Sequence, residues 1–434
     1  MPQIPSDRQK ARYPAPPPGM PARRAALKLL DAVIRRGQPL EAALGAATQG
    51  ISRPDDRALA HAIAAETLRR LPDLDALIDS ATAKPLPEDA KARFALRIAL
   101  VQALALGTPG HAAIATVLPL VDGGPRRLVH GVFGSLLRKG VSLPEVPQLL
   151  PDVAARWEAD WGAEMVAGAA SAIAAPPPLD LTLVDAAETQ HWVAELGGTS
   201  LMPGHVRLTD AGPVTSLPGF EQGRWWVQDL AASLPARLLG RGDGTALDLC
   251  AAPGGKALQL AAAGWKVTAL DRSAQRLERV RENAGRTGLP LDVREADVMR
   301  WAPEAPVGAI LLDAPCSATG IFRRHPDVLH RVRPRDIAEM AELQGAMLAR
   351  AVDWLIPGGT LVYATCSLEP AEGEAQIEKL LRNRDDIALT PITAADLPAN
   401  VPETAQGWVR TLPGMLADAG GLDGFFIARL TRKG

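Results

Sequence analysis

The sequence predicts an α/β protein: an open, mostly parallel sheet flanked by helices, preceded by an all-helical region and a small α+β insert. Three observations predict it. Apolar runs that read as buried strands recur after residue 245, and they deliver Asp271, Asp313 and Cys366 at their carboxyl ends. A proline-glycine-glycine break at Pro253-Gly254-Gly255 joins one such run to a helical pattern, as a strand-turn-helix unit requires. Residues 21–139 instead show alanine- and leucine-rich spacing of helical period.

A chain of 434 residues exceeds one ordinary core, so several domains are expected. The composition shifts set them at 1–19 (a disordered, proline-rich leader), 20–140 (all-α), 141–220 (linker and small α+β subdomain) and 221–434 (α/β). With 47% hydrophobic and 22% charged residues the chain reads as soluble and globular. No apolar run approaches about 18 residues, and the first twenty lack an apolar signal core, so no membrane association and a cytoplasmic location are expected. Three cysteines, Cys250, Cys316 and Cys366, argue against a disulfide scaffold, and without C-x-x-C spacing or clustered histidines no metal is expected. A monomer is expected.

The net charge of -2 counts against a uniformly basic nucleic-acid binder, so any such binding must rest on local charge. Arginine pairs occur at Arg23-Arg24, Arg35-Arg36, Arg69-Arg70, Arg126-Arg127 and Arg323-Arg324. A solvated helix face is the simpler reading of any single pair.

Taken in order, the helical region breaks at Gly37, Gly50, Pro72, Pro85 to Pro87, Gly107 to Gly110 and Gly123 to Pro125, which fits a bundle of six or so helices. Its segments Ala22 to Leu30, Asp56 to Ile63 and Phe133 to Arg138 resemble the NusB-like RNA-binding fold, with Gly134 where that fold commonly has Asn. A generic helical dimerisation module is the competing reading. Trp157 and Trp161, four apart, read as one buried helix face. Leu179 to Val184 and His205 to Thr209 alternate as strands of the small insert, and Asp229 reads as a helix-start residue.

The turn Cys250-Ala251-Ala252-Pro253-Gly254-Gly255-Lys256 follows a strand and opens a helix, where small residues and free N–H groups suit a ligand. Asp271, at the end of the next strand, stands where doubly wound folds bind a ribose. The turn lacks the G-x-G-x-x-G pattern of a pyrophosphate site. It resembles instead the cofactor turn of the RNA cytosine-5 methyltransferases, and the resemblance, closest to the RsmB/Sun group, covers about residues 20 to 432. It implies a Rossmann-like class I methyltransferase domain with a seven-stranded mixed sheet, S-adenosyl-L-methionine as cofactor and ribosomal RNA as partner. It also implies that Asp297, at the end of a third strand, contacts the adenine, and that Asp313 belongs to both the cofactor and the catalytic site.

Cytosine C5 is too weakly nucleophilic to accept a methyl group unaided; a thiolate adding at C6 makes it an enamine. Two cysteines occupy matching strand-end contexts, Asp313-Ala314-Pro315-Cys316 and Thr365-Cys366-Ser367. The resemblance implies that Cys366 is the nucleophile and Cys316 the cysteine of product release, and Asp313 is the candidate to stabilise charge near N3. Arg323 and Arg324 match a segment suited to substrate phosphates. Glu372 and Glu374 read as a helix start. Two alternatives stay open: a transfer-RNA methyltransferase of the same chemistry, and a non-catalytic RNA-binding assembly factor that retains the sheet.

Overall fold

The structure is a computed structural model that describes residues 19–434; the expected leader lies outside them, apart from Gly19. Two compact units divide at Pro144 and Glu145. Among the described residues the first unit has seven α-helices, from Met20–Ile34 to Gly123–Arg138. Pro72 does not merely separate helices. It sits in the first turn of Leu71–Ser80, where its missing N–H costs nothing. Leu29, Leu30, Val33, Ile63 and Leu68 pack with Phe94 and Leu96 in one core.

The arginine pairs of this unit are not uniformly solvated. Arg23 is 8% exposed and donates to the Gln102 side chain at 2.7 Å, and Arg69 is 6% exposed. Arg93 and Arg97 are also buried, in ion pairs with Asp75 and Asp79. Buried guanidinium groups of this kind are compensated by carboxylates and amides, so they are part of the core rather than a nucleic-acid surface.

The second unit carries eleven strands: β1 (Leu179–Leu183), β2 (His205–Leu208), β3 (Trp225–Val227), β4 (Thr245–Leu249), β5 (Lys266–Asp271), β6 (Leu291–Glu295), β7 (Val307–Asp313), β8 (Leu355–Thr365), β9 (Ile387–Leu389), β10 (Val409–Thr411) and β11 (Phe425–Arg432). The first three form an antiparallel sheet in the order β2-β1-β3. Its centre is ionic as well as apolar, since Asp180 on β1 is fully buried and chelates Arg207 on β2 at 2.7 Å through both oxygens.

The large sheet is mixed and Rossmann-like, ordered β10-β11-β8-β7-β4-β5-β6, with β9 paired to β11. Eight strands stand where seven were expected. The difference lies at one edge: β10 pairs with Phe425 to Ile427, and β9 with Leu430 to Arg432, so two three-residue strands share one side of β11. From β4 the chain winds outward to β5 and β6, then returns to β7 on the other side. That reversal opens a crevice at the carboxyl ends of β4 and β7, where doubly wound sheets bind ligands. Among the described residues no helix is long and apolar enough to cross a membrane.

Candidate active site

The crevice is assembled by three strand ends. β4 delivers Asp248, β7 ends at Asp313, and the loop after β8 begins with Cys366. The turn after β4 needs glycine at position 254, whose φ of 107° a side-chain-bearing residue rarely adopts. A Cβ on Gly254 would meet Val280 at 3.2 Å and one on Gly255 would meet Gln228 at 3.2 Å. The two glycines thus admit close protein neighbours.

This turn separates two cavities. Cys250 and Ala252 line one of about 390 Å³ together with Asp271, Asp297, Asp313, Cys316 and Cys366. Ala251, Pro253, Gly255 and Lys256 line the other, of about 480 Å³, and Asp313 borders both. Of the seven turn residues expected at a cofactor, only Cys250 and Ala252 face the cavity that holds Asp271 and Asp297. A larger cavity, about 630 Å³ beside Arg237 and Gln259, contains none of the cysteines or the strand-end acids.

Asp271 is 3% exposed, accepts from the backbone of Ser273 at 3.0 Å and pairs with Arg276 at 3.3 Å. Arg276 also donates to the Ala252 carbonyl and lines the same cavity. Arg276 lies on the helix Ala274–Thr287, and its proximity to the turn depends on how that helix packs. Asp297 lies just beyond β6 rather than at its end, exposed, and accepts from the backbone of Met299 at 2.9 Å.

Lys256 Nζ lies 2.7 Å from Asp313 Oδ2. Burial alone would lower the Lys256 ammonium, but the Asp313 carboxylate outweighs it and the net shift is upward. Behind them Asp248 is wholly enclosed, and burial pushes its carboxyl well above the usual range, with Asp313 adding to the effect.

The sulfurs of Cys316 and Cys366 are 3.5 Å apart. That contact, with burial second, pushes the Cys316 thiol well above its ordinary value. Burial likewise pushes up the thiol of Cys250. The two loops are fastened by backbone bonds from Ala314 to the Ala364 carbonyl at 2.9 Å and from Gly320 to the Cys366 carbonyl at 3.0 Å. A Cβ at position 320 would strike the Gly424 carbonyl, so the approach requires glycine.

Glu372, which the sequence presents as a helix-start acid, is fully buried behind the cysteine pair. Its Oε1 accepts from the Ser317 backbone at 2.8 Å and the Gln344 amide at 3.0 Å. Its Oε2 accepts from the hydroxyls of Ser317 and Ser367, the residues that directly follow the two cysteines. One carboxylate thereby sets the separation of both sulfur-bearing loops. Glu372→Ala is expected to cost about 2–4 kcal/mol in urea unfolding, because several buried donors lose their acceptor together. Glu372→Gln, which keeps the volume and one acceptor oxygen, should cost less than half of that; equal and negligible losses would contradict the tethering role.

Arg323 is 3% exposed and donates to the Gly420 carbonyl at 2.8 Å, a burial at odds with the phosphate role expected of it. Arg324 pairs with Asp229 at 3.0 Å and lines the 480 Å³ cavity. Asp229 caps the helix Leu230–Arg237 by accepting from Ala231, as its sequence position suggests. Trp157 is completely buried and Trp161 packs in the same cluster.

A sequence model described as 16S rRNA methyltransferase RsmB/F matches residues 237–431, and one for the NusB family matches residues 20–132. The chain is 37% identical over 438 residues to ribosomal RNA small subunit methyltransferase B of Xanthomonas campestris pv. campestris, covering 95% of this chain and 98% of that protein. It is 34% identical to the protein of the same name from Cronobacter sakazakii, with the same coverage. Among solved structures, that of PH0851 superposes with a TM-score of 0.72 at 21% identity, over 95% of this chain and 98% of the other, a likeness of fold. A methyltransferase homolog protein from Pyrococcus horikoshii gives a TM-score of 0.54 at 28% identity, over 69% of this chain and 98% of the other.

Proposed function

Because the chain belongs to the 16S rRNA methyltransferase RsmB/F family, and so is an RNA methyltransferase, we propose that it methylates C5 of a cytosine in small-subunit ribosomal RNA. In this reading the methyl donor is S-adenosylmethionine and Cys366 forms a transient bond to C6. The observation that carries it is the pair of sulfurs 3.5 Å apart at the ends of neighbouring parallel strands, on a cavity that also holds two strand-end acids. A methyltransferase acting on an already nucleophilic nitrogen or oxygen needs neither thiol.

The residues around the 390 Å³ cavity suit an adenosyl group. Asp271 and Asp297 offer carboxylate acceptors for ribose hydroxyls and an exocyclic amine, while Val298, Pro315, Leu343 and Met347 supply an apolar wall. When bound, the sulfonium supplies an electrophilic methyl group. Asp271→Ala should weaken S-adenosylmethionine binding about tenfold or more, the loss expected for hydrogen bonds to a charged acceptor. Calorimetric titration would read this, and unchanged affinity would place the nucleoside elsewhere.

The protein's own part in the reaction starts with sulfur. Cys366 attacks C6, and the electron pair moves through C5–C6 toward N3, where a carboxyl or ammonium group must meet the developing charge. Asp313, which lines the same cavity, and Lys256, bonded to it, are the groups at hand. C5 then takes the methyl group, loses its proton to a base, and expels Cys366 as the double bond re-forms. Cys316, kept as a thiol by its contact with Cys366, can donate S–H toward that sulfur before attack. Attack on C6 from above the ring requires the base to leave its stack, so single-stranded or loop RNA is the expected target. The helical unit is proposed to bind RNA.

The decisive assay is transfer of tritiated methyl from S-adenosylmethionine to unmodified small-subunit ribosomal RNA, with bisulfite sequencing to locate the product. Transfer to cytosine C5 of that RNA is expected. Label appearing only on transfer RNA, or on a position that bisulfite does not register, would overturn the proposal.

A further inference from the structure

We propose that the 480 Å³ cavity on the far side of the cofactor turn is a binding subsite for the nucleotide adjacent to the target cytosine in single-stranded RNA. The inference rests on the RNA cytosine methyltransferase reading above. Neither cysteine lines this cavity, so a base seated in it is not the one attacked. Yet it shares Asp313 with the cysteine cavity, and Lys256, bonded to Asp313, lines it too. A strand whose target base lies at the sulfurs therefore meets this cavity with its neighbour. The volume falls within the range of about 300–1,000 Å³ that small-molecule sites occupy.

Its walls divide by chemistry. Part of the lining is apolar: Phe220, Trp226 and Val227, the last of these 46% exposed and open to a stacked base. A polar part of the lining comes from the helix Ala274–Thr287, which contributes Arg279, Asn283 and Arg286. Arg286 is already engaged, its guanidinium 4.3 Å from the centre of the Phe220 ring and bonded to the Phe220 carbonyl. Arg279 is exposed, and no hydrogen bond or ion pair to it occurs among the described residues. A free guanidinium at the rim beside an apolar wall is the pairing that holds a phosphate and a stacked base together.

The floor is polar and unfinished. Asp248 is wholly buried, yet neither of its carboxyl oxygens has a hydrogen-bond partner, and Oδ1 of the buried Asp423 has none either. Buried oxygens left unpaired cost about 1–3 kcal/mol each, and a ligand bearing N–H groups would remove that cost. Burial pushes the Asp423 carboxyl up to about 7, with Asp229 adding and Arg324 opposing, so this floor can both accept and donate as a base edge requires. A phosphate alone would leave these oxygens unmatched; a nucleobase with its phosphate at Arg279 satisfies both ends.

The test uses the full chain and an RNA fragment that the native protein methylates. Each nucleotide flanking the target is replaced in turn by an abasic one, with native protein and with the Val227→Asp and Arg279→Glu variants. An abasic residue on one side should raise the RNA KM at least fivefold while kcat falls less than twofold. The variants should raise KM on intact RNA, and Val227→Asp should add less than twofold on the abasic substrate, since its base contact is already gone. Photo-crosslinking from 4-thiouridine at that flanking position should label the segment from Phe220 to Val227. Native protein that methylates RNA normally, yet is indifferent to both abasic replacements or crosslinks only elsewhere, overturns this subsite and leaves the methyltransferase reading standing. Native protein that transfers no methyl to any RNA cytosine overturns both.

Discussion

Cys366→Ser is expected to abolish methyl transfer, with a loss of at least about 10³-fold, while leaving the affinity for S-adenosylmethionine unchanged. A serine hydroxyl is nearly the same size, so the loops fastened through Glu372 and Gly320 should hold their shape. What disappears is an ionisable sulfur. A thiol ionises far more readily than an alcohol, whose alkoxide is inaccessible near neutrality without a strong base. Without attack at C6, C5 stays aromatic and does not accept the methyl group. Burst kinetics with tritiated donor would read the loss, and calorimetry the retained cofactor binding. Turnover within tenfold of the native protein would mean that sulfur is not the nucleophile, and the proposed chemistry would fail with it.

The parts of this site that could be read in the sequence are those fixed by local rules. Much of β4 (from Ala246), β7 (from Ala309) and the second half of β8 (from Leu361) is buried, so these stretches appear as largely apolar runs, and the residues at their ends fall at the crevice. The cysteine pair became visible because two strand-end motifs carry the same residue type. Features set by long-range packing were not legible. Glu372 looks like a helix-start acid until the loops carrying Ser317 and Ser367 close around it, 55 and five residues away in sequence. Arg323 looks like an exposed cation until the carbonyl of Gly420, 97 residues later, covers it. The split edge beside β11 consists of two strands of three residues, too short for a period-two pattern. Trp225–Val227, which leads into the α/β region in sequence, pairs instead with β1 of the small sheet, and that pairing brings Val227 to the rim of the second cavity. The unsatisfied carboxyl of Asp248 follows from the neighbours it lacks, which no sequence pattern records.

Cys316→Ala is expected to trap the protein on its RNA, as a covalent complex that survives a denaturing gel and carries one methyl group per chain. The reason lies in what raises the Cys316 thiol. Its largest cause is the contact with Cys366, and burial comes second. Once the sulfur of Cys366 is bonded to C6 it can no longer carry a negative charge, so the main influence holding Cys316 protonated is removed by the reaction itself. Cys316 then becomes easier to ionise at the moment when a base is needed for the C5 proton, 3.5 Å from the sulfur that must leave. Attack and methyl transfer do not need it, so the alanine variant should complete one methylation and stop. Two measurements separate this from mere damage to the site. The trapped fraction should approach one RNA per chain, and in the native protein the release step should speed up with pH more steeply than adduct formation does. A Cys316→Ala protein that turns over repeatedly with no complex on the gel would assign the proton to another base, with Lys256 and Asp313 the groups then left beside the cavity.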